Sequence, residues 1–464
     1  LLFRCIAGAI SLITTHWMQS AAAAKAYYRS SDYYATCPGD WLGKGAQMLG
    51  LRGTAQAEHF DALADNLHPL TGESLTTYTR DGRRVGLDMT FNAVKSVSLA
   101  RELAGEGNAG DPRIDQAHRE AVAYTVGMIE ADMQARVRAG GKQENRTTGN
   151  LVAYRVTHRD TRINAEDSRP DPQLHDHVFI VNATWDAAEG KWKAAELGQI
   201  KHDLPFYEAA YHNRLAANLK ALGYGIERKG KAFEVAGVSE ELTRKFSRRT
   251  AYIEKVADKL GIVKPESKAK LGATTRLGKA KTKADDLNGY YVSRLTDAEK
   301  HGLAGLQGWA GFEGYAKDAV EFAVGHLFER RSVVDAKKVY ELALRRGIGS
   351  VTPEALEAEA RRQGLLTKDG EATTRQVLAE EQRVIGFARD GRGTCRPMGN
   401  EKGRPDGSKR PSRGAGAALE GLRNSTPGQS ATTSPLAQPV SDLSPDQAAI
   451  ARHVWTSPDR VILI

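Results

Sequence analysis

The sequence predicts a mixed α+β protein, and three observations carry that expectation. Strand-type and helix-type periodicities alternate up to about residue 260. Two strand segments bearing histidines are separated by a polar connection that lets them pair as a hairpin. From about residue 300 to 398 the pattern becomes helical and charged.

The elements follow in chain order. Leu1–Thr15 is mostly apolar with Arg4 its only charge, and Ala21–Ala24 has the small residues of a cleavage region. This stretch reads as a signal peptide or as a buried first strand, Ala9–Thr14, leading into a helix; its apolar part is about eight residues, too short to span a bilayer. Leu87, Met89 and Phe91 alternate with Asp88 and Thr90, the pattern of a half-buried strand. Val122, Val126, Ile129, Met133 and Val137 recur at helical spacing and predict one long amphipathic helix. Val152, Tyr154, Val156 and His158 share one strand face. Leu174–Trp185 is a second strand, and Arg159–Pro172 the polar connection. Asp203 and Pro205 open another helix, which Gly223 closes.

Lys264–Lys283 holds seven basic residues against one acidic residue, Glu266, and reads as a solvated linker or as an arm along a DNA backbone. Its Gly272…Gly278-Lys279 mimics a phosphate-binding loop, but five residues separate the glycines and Ala280 replaces the required Ser or Thr, so no ATP site is expected. Gly399–Asp442, rich in Gly, Ser, Pro, Arg and Thr, is expected to be a flexible linker. Leu443–Ile464 restarts an ordered pattern and closes on an apolar strand, as though opening a further domain.

A length of 464 residues fits two or three units. The net charge of +9 and pI near 9.2 favour a polyanionic partner, although a solvated basic surface has the same signature. Cys5, Cys37 and Cys395 have neither metal-type spacing nor an even count, which fits a reducing cytoplasm. No run approaches membrane length.

The chemistry concentrates in two strings. In PQLHDHVFIVN, His175 and His177 stand two apart on a strand and project from one face. His158 ends the preceding strand and joins them if the hairpin places it on that face. Three neutral imidazoles leave coordination positions open on a bound ion, as catalysis requires. Zn, Mn, Fe, Co or Ni suit imidazole, and a substrate phosphate oxygen makes Mg acceptable. Asp88 either orients a ligand histidine, accepts a nucleophile's proton, or faces solvent. The second string, YYRSSDYY, places Tyr27, Tyr28, Tyr33 and Tyr34 within eight of the residues of a chain with fifteen tyrosines. An aromatic helix stripe explains it structurally. With a reference pKa of about 10, a phenol attacks only with help from a base or cation, so the tyrosines gain meaning beside the histidines.

These residues resemble the MobF conjugative relaxases, the TrwC/TraI type of HUH endonuclease. The likeness runs through WLGKGAQMLGL, GLDMTFNAVKSVSL, TTGNLVAYRVTHR, DPQLHDHVFIVNATW and FSRRTAYIEK, and continues in HLFERRSVV, ATTRQVLAEEQRVIGFARDGRGTCRP and LSPDQAAIARHVWTSPDRV. The resemblance implies a palm of central antiparallel sheet flanked by helices with helical fingers over DNA: a nicking domain over 1–300, a helical segment over 301–398, a linker over 399–442 and the start of a helicase over 443–464. Tyr27 would attack the scissile phosphate at a transfer origin, leaving a 5′-phosphotyrosine and a 3′-hydroxyl, and Tyr33 would serve the later strand transfer. Tyr28 and Tyr34 are accessory. His158, His175 and His177 would hold a divalent metal ion, Mg or Mn before Zn, Ni or Co, and Asp88 would orient a histidine and help deprotonate the tyrosine. Expected partners are single-stranded or hairpin origin-of-transfer DNA, relaxosome accessory proteins and a type IV secretion coupling protein. The chain departs from the pattern in the short RSSD spacer, a longer loop between His158 and His175, Val94 in place of a proline, and an end just before the helicase phosphate loop. It is therefore expected to nick and rejoin DNA without ATP-driven unwinding. A non-catalytic origin-binding fragment and a rolling-circle initiator are the alternatives, with a small-substrate metallohydrolase further off.

Overall fold

The computed structural model describes residues 13–29, 39–77, 82–139, 142–164, 166–275 and 287–394. In chain order, β1 (Ile13–Met18) and α1 (Ala21–Arg29) precede β2 (Asp40–Leu42), α2 (Lys44–Met48), α3 (Ala57–Ala64) and β3 (Gly86–Asn92). Then come α4 (Lys95–Leu103), α5 (Arg113–Ala131), the hairpin of β4 (Gln134–Ala139) and β5 (Lys142–Thr147), and the long pair β6 (Ala153–Asp160) and β7 (Pro172–Val181). A short hairpin, β8 (Thr184–Asp186) and β9 (Lys191–Lys193), leads to α6 (Gly198–His202), α7 (Leu204–Ala221) and the hairpin of β10 (Ile226–Lys229) and β11 (Ala232–Val235). Helices α8 (Glu240–Lys245), α9 (Arg248–Lys259), α10 (Pro265–Thr274), α11 (Leu287–Ser293) and α12 (Asp297–Ala304) follow.

The main sheet is antiparallel throughout, in the order β1-β3-β7-β6-β2, so the expected α+β architecture is what the chain adopts. Its two faces are packed differently. Leu87, Met89 and Phe91 point to one side and pack with Leu99, Val122 and Tyr211 from α4, α5 and α7. Tyr154, Val156 and Phe179 point to the other, where α1 and α3 deliver Tyr28 and Phe60. There the Tyr28 and Phe60 rings lie 4.8 Å apart, and Phe60 and Phe179 5.3 Å. Each such pair adds about 0.5–1.5 kcal/mol beyond area burial.

Several expectations need correction. The strand at β3 is covered on both faces, and Asp88 is only 4% exposed. The first described strand runs Ile13–Met18, past the Thr14 expected as its end, while residues 9–12 lie outside the described residues: Ile13 is fully buried and its N–H is held by the Glu208 carboxylate (3.2 Å), and Ala21–Ala24 form the first turn of α1. The helix through Val122 and Ile129 stops at Ala131, and Val137 lies in β4. The Met133 carbonyl takes the Thr148 N–H (2.7 Å), and β4 and β5 pair in register from Gln134–Thr147 to Ala139–Lys142. The strand expected over Leu174–Trp185 is two: β7 ends at Val181, the Ala183 N–H turns back to the Val181 carbonyl (2.7 Å), and β8 pairs elsewhere. Part of the basic stretch is helical, since α10 is tied to α9 by Arg249, which donates to the Gly272 carbonyl (2.9 Å) and Thr275 Oγ1 (3.0 Å). The helix after Asp203 spans Leu204–Ala221, and Gly223 takes φ +93°, which a glycine adopts without strain.

The segment from 301 onward holds α13 (Ala316–Phe328), α14 (Ala336–Arg346) and α15 (Pro353–Arg362) with a small sheet in the order β12-β14-β13, from β12 (Val334–Asp335), β13 (Leu365–Lys368) and β14 (Glu371–Thr374). One compact unit extends through Ala372 and a second begins at Thr373. In the second, α16 (Arg375–Asp390) is capped by Thr374, whose hydroxyl accepts the Val377 N–H, and none of its residues is buried. The expected linker 399–442, the segment 443–464, the three cysteines, Tyr33, Tyr34 and Gly278-Lys279 lie outside the described residues. No helix of the described residues is long and apolar enough to cross a membrane.

Candidate metal centre and nucleophile

The pairing of β6 with β7 sets His158 directly opposite His175, and opposed residues in an antiparallel pair share a face. His177, two residues on, returns to that face. The three rings approach with centroids 5.1 Å (His158–His175), 5.4 Å (His158–His177) and 5.3 Å (His175–His177) apart. One ligand atom from each lies within 4.8 Å of the others, and all three residues are half-buried.

The far side of two rings is already engaged. His175 Nδ1 lies 2.9 Å from the Gln173 carbonyl, which can only accept, so Nδ1 carries the proton. Its Nε2 is then the unprotonated ligand atom. His177 Nδ1 is 3.2 Å from Asp88 Oδ2 and 3.2 Å from Thr90 Oγ1, which turns its Nε2 outward in the same way. Burial, reinforced by His177, pushes His175 down to about 3, so it is a neutral imidazole near neutrality. The donor set therefore fits a divalent cation: three imidazoles, two with tautomers fixed for coordination, on the rigid centre of a sheet.

The tyrosines divide by helix phase. Tyr28 faces inward from α1, is fully buried, and donates its hydroxyl to Asp88 Oδ1 (3.0 Å). Tyr27, about 100° around the helix, is half-buried with its ring 6.1 Å from that of His177. The structure thus gathers Tyr27, Asp88, His158, His175 and His177, makes Tyr28 a support beneath Asp88, and leaves Tyr33 and Tyr34 outside the described residues. Sequence reasoning missed Thr90 and the Gln173 carbonyl. Thr90 was within reach, since it shares the β3 face of Asp88; a backbone carbonyl leaves no side-chain signal.

A second trio, His202, Asp203 and Asp335, also brings three ligand atoms together. Here Lys337 Nζ already donates to Asp203 Oδ2 (2.7 Å) and to Asp132 Oδ2 (2.7 Å), and Asp335 caps α14 by accepting the Lys337 N–H. The protein supplies its own cation at that place.

Known proteins resemble this chain in sequence and in fold. The family model for the TrwC relaxase matches residues 18–298. The multifunctional conjugation protein TraI of Escherichia coli is 34% identical over 242 residues, which is 48% of this chain and 13% of TraI; TraI of strain K12 is 33% identical over the same length. The matched region is thus a small part of those relatives' length. Among solved structures, the conjugative relaxase TrwC in a metal-bound complex with oriT DNA is 32% identical and superimposes with a TM-score of 0.53, covering 61% of this chain and 96% of that one. TrwC with a 27-mer DNA comprising the recognition hairpin and the cleavage site gives the same values.

Proposed function

The chain belongs to the TrwC relaxase family, and on that premise we propose that it cleaves one strand of a transfer-origin DNA by transesterification onto Tyr27 and later rejoins it. The observation that supports this most is the placement of a half-buried phenol beside three converging imidazoles. The Tyr27 oxygen bonds to phosphorus as the bond to the 3′ oxygen breaks, giving a 5′-phosphotyrosine and a 3′-hydroxyl. The phosphodiester energy is kept in the new ester, so the strand can be resealed without ATP. His158, His175 and His177 would hold a divalent ion, Mg or Mn, and when bound it would draw charge from the phosphate oxygens and polarise phosphorus for in-line attack. Asp88 holds His177 in the tautomer that points Nε2 outward, and Tyr28 holds Asp88. Tyr33 would carry the second transfer, with Tyr34 accessory.

The DNA would be single-stranded or hairpin; TrwC was solved with a 27-mer comprising the recognition hairpin and the cleavage site. Relaxosome accessory proteins, a type IV secretion coupling protein and a cytoplasmic setting belong to the same reading. A labelled single-stranded origin oligonucleotide incubated with Mg or Mn should yield a protein–DNA adduct on a denaturing gel, abolished by Tyr27→Phe. Folded protein that never forms the adduct would leave only an origin-binding role. Metal-dependent hydrolysis of small phosphodiesters, indifferent to Tyr27→Phe, would point to a metallohydrolase.

A further inference from the structure

The chain entering the metal strand is pinned residue by residue. Asp171, fully buried one position before β7, accepts the Arg248 N–H (2.9 Å), Arg248 Nε (2.9 Å) and Arg294 Nη1 (2.8 Å). The first of these contacts caps α9, whose own N-cap residue Ser247 makes no side-chain cap bond. An anion at the start of a helix also meets the favourable end of its dipole. Next, the Pro172 carbonyl takes Lys95 Nζ (2.6 Å), Gln173 Nε2 donates to the Ala93 carbonyl (2.9 Å), and the Leu174 N–H donates to Ser98 Oγ (2.9 Å). The Gln173 carbonyl then holds His175 Nδ1. Asp171 also fixes the incoming loop, its N–H donating to Thr161 Oγ1 (3.0 Å) and its carbonyl accepting the Thr161 N–H (2.9 Å).

The basic string FSRRTAYIEK invites a reading of Arg248 as a DNA contact. The structure gives Arg248 other work, since it also donates to Asp167 Oδ2 (2.7 Å), to which the Tyr290 hydroxyl donates as well. Arg294 bridges the same knot to the Lys245 carbonyl at the end of α8 (2.6 Å). Three helices, α8, α9 and α11, are therefore anchored through one carboxylate four residues ahead of a metal-ligating histidine.

We propose that Asp171 is a positioning residue of the metal centre, holding the Pro172–Gln173 backbone so that the Gln173 carbonyl sets the His175 imidazole. The inference rests on the three-histidine reading above. A displacement of α9 or α11 would reach His175 through this carboxylate.

The test titrates Mn2+ alone into the full chain by calorimetry, for the wild type, His177→Ala, Asp171→Asn and Arg294→Lys. Asp171→Asn keeps the shape and removes the charge; its affinity for Mn2+ should fall about 10-fold or more, as for residues supporting a ligand. Arg294→Lys, which keeps the charge but loses the planar fork, should fall by less. Metal-free binding of a single-stranded oligonucleotide should change far less than the Mn2+ affinity, because Asp171 is fully buried and presents no surface to DNA. A merely structural Asp171 would lower the melting temperature and leave the Mn2+ affinity of the folded protein unchanged, and that result overturns the proposal. If Asp171→Asn does not fold, Arg294→Lys decides, and wild-type Mn2+ affinity in that variant overturns it equally. A wild type that binds no Mn2+, indistinguishable from His177→Ala, would instead remove the metal reading itself.

Discussion

Among the described residues, two places bring three metal-type ligands together, and they differ in what stands behind the ligands. At His158, His175 and His177, carbonyl and carboxylate acceptors hold the far nitrogens of two rings, and the near nitrogens converge. At His202, Asp203 and Asp335, Asp203 is already taken by the Lys337 ammonium, which Asp132 shares, and Asp335 by the Lys337 backbone N–H. Burial opposes the charge on Lys337, but hydrogen bonds to Asp132 and Asp203 outweigh it and hold the group above its usual range. Ligand residue types alone do not distinguish the two; the partner already present does.

The sharpest way to break the comparison is His177→Ala, which should weaken Mn2+ binding by more than about 100-fold, beyond the loss typical of a supporting residue; calorimetry on wild type and variant checks it. Asp88→Asn keeps the shape and frees His177 to turn, and should cost about 10–100-fold in metal affinity. Equal affinity would mean that Asp88 only supports Tyr28. At the other trio, Lys337→Met should leave Mn2+ affinity at the histidines untouched. It should lower stability by about 1–3 kcal/mol in urea, less than for a fully buried pair because the lysine is partly exposed. New stoichiometric metal binding in that variant would show that the lysine alone excludes an ion.

Acidification gives the smallest effect. Between about pH 6.5 and 3 the unfolded chain protonates His175 while the folded chain does not. The metal-free protein should therefore lose stability as pH falls through that window and recover it above, on the order of 1 kcal/mol once partial exposure is allowed for. His175→Gln should flatten that part of the pH profile of urea stability; an unchanged slope would assign it to other groups.

What the sequence disclosed depended on how local the determining physics is. His175 and His177 share a face because a strand has a period of two, a property visible in HDH itself. The place of His158 needed one further assumption, the hairpin pairing, which β6 and β7 make. Asp88 was legible as an oddity within a strand but not as buried, because α1 covers that face and its docking is a tertiary event. Val137 misled because an apolar residue at helical spacing can fall in the next element by chance. The Gln173 carbonyl and the Asp171 cap of α9 could not be read at all, since both depend on backbone atoms meeting across long sequence separations.

The alanines of α1 look chemically empty, yet their number decides which phenol does what. One extra alanine before Tyr27 would advance everything after it by about 100°. Tyr27 would take the enclosed place under Asp88, and Ala26 would stand beside His177. Removing one alanine would present Tyr28 at the open position and force Arg29 into the enclosed one. The run Ala21–Ala24 is thus a spacer of fixed length, and its count, more than any property of the two phenols, separates the tyrosine proposed to react from its neighbour.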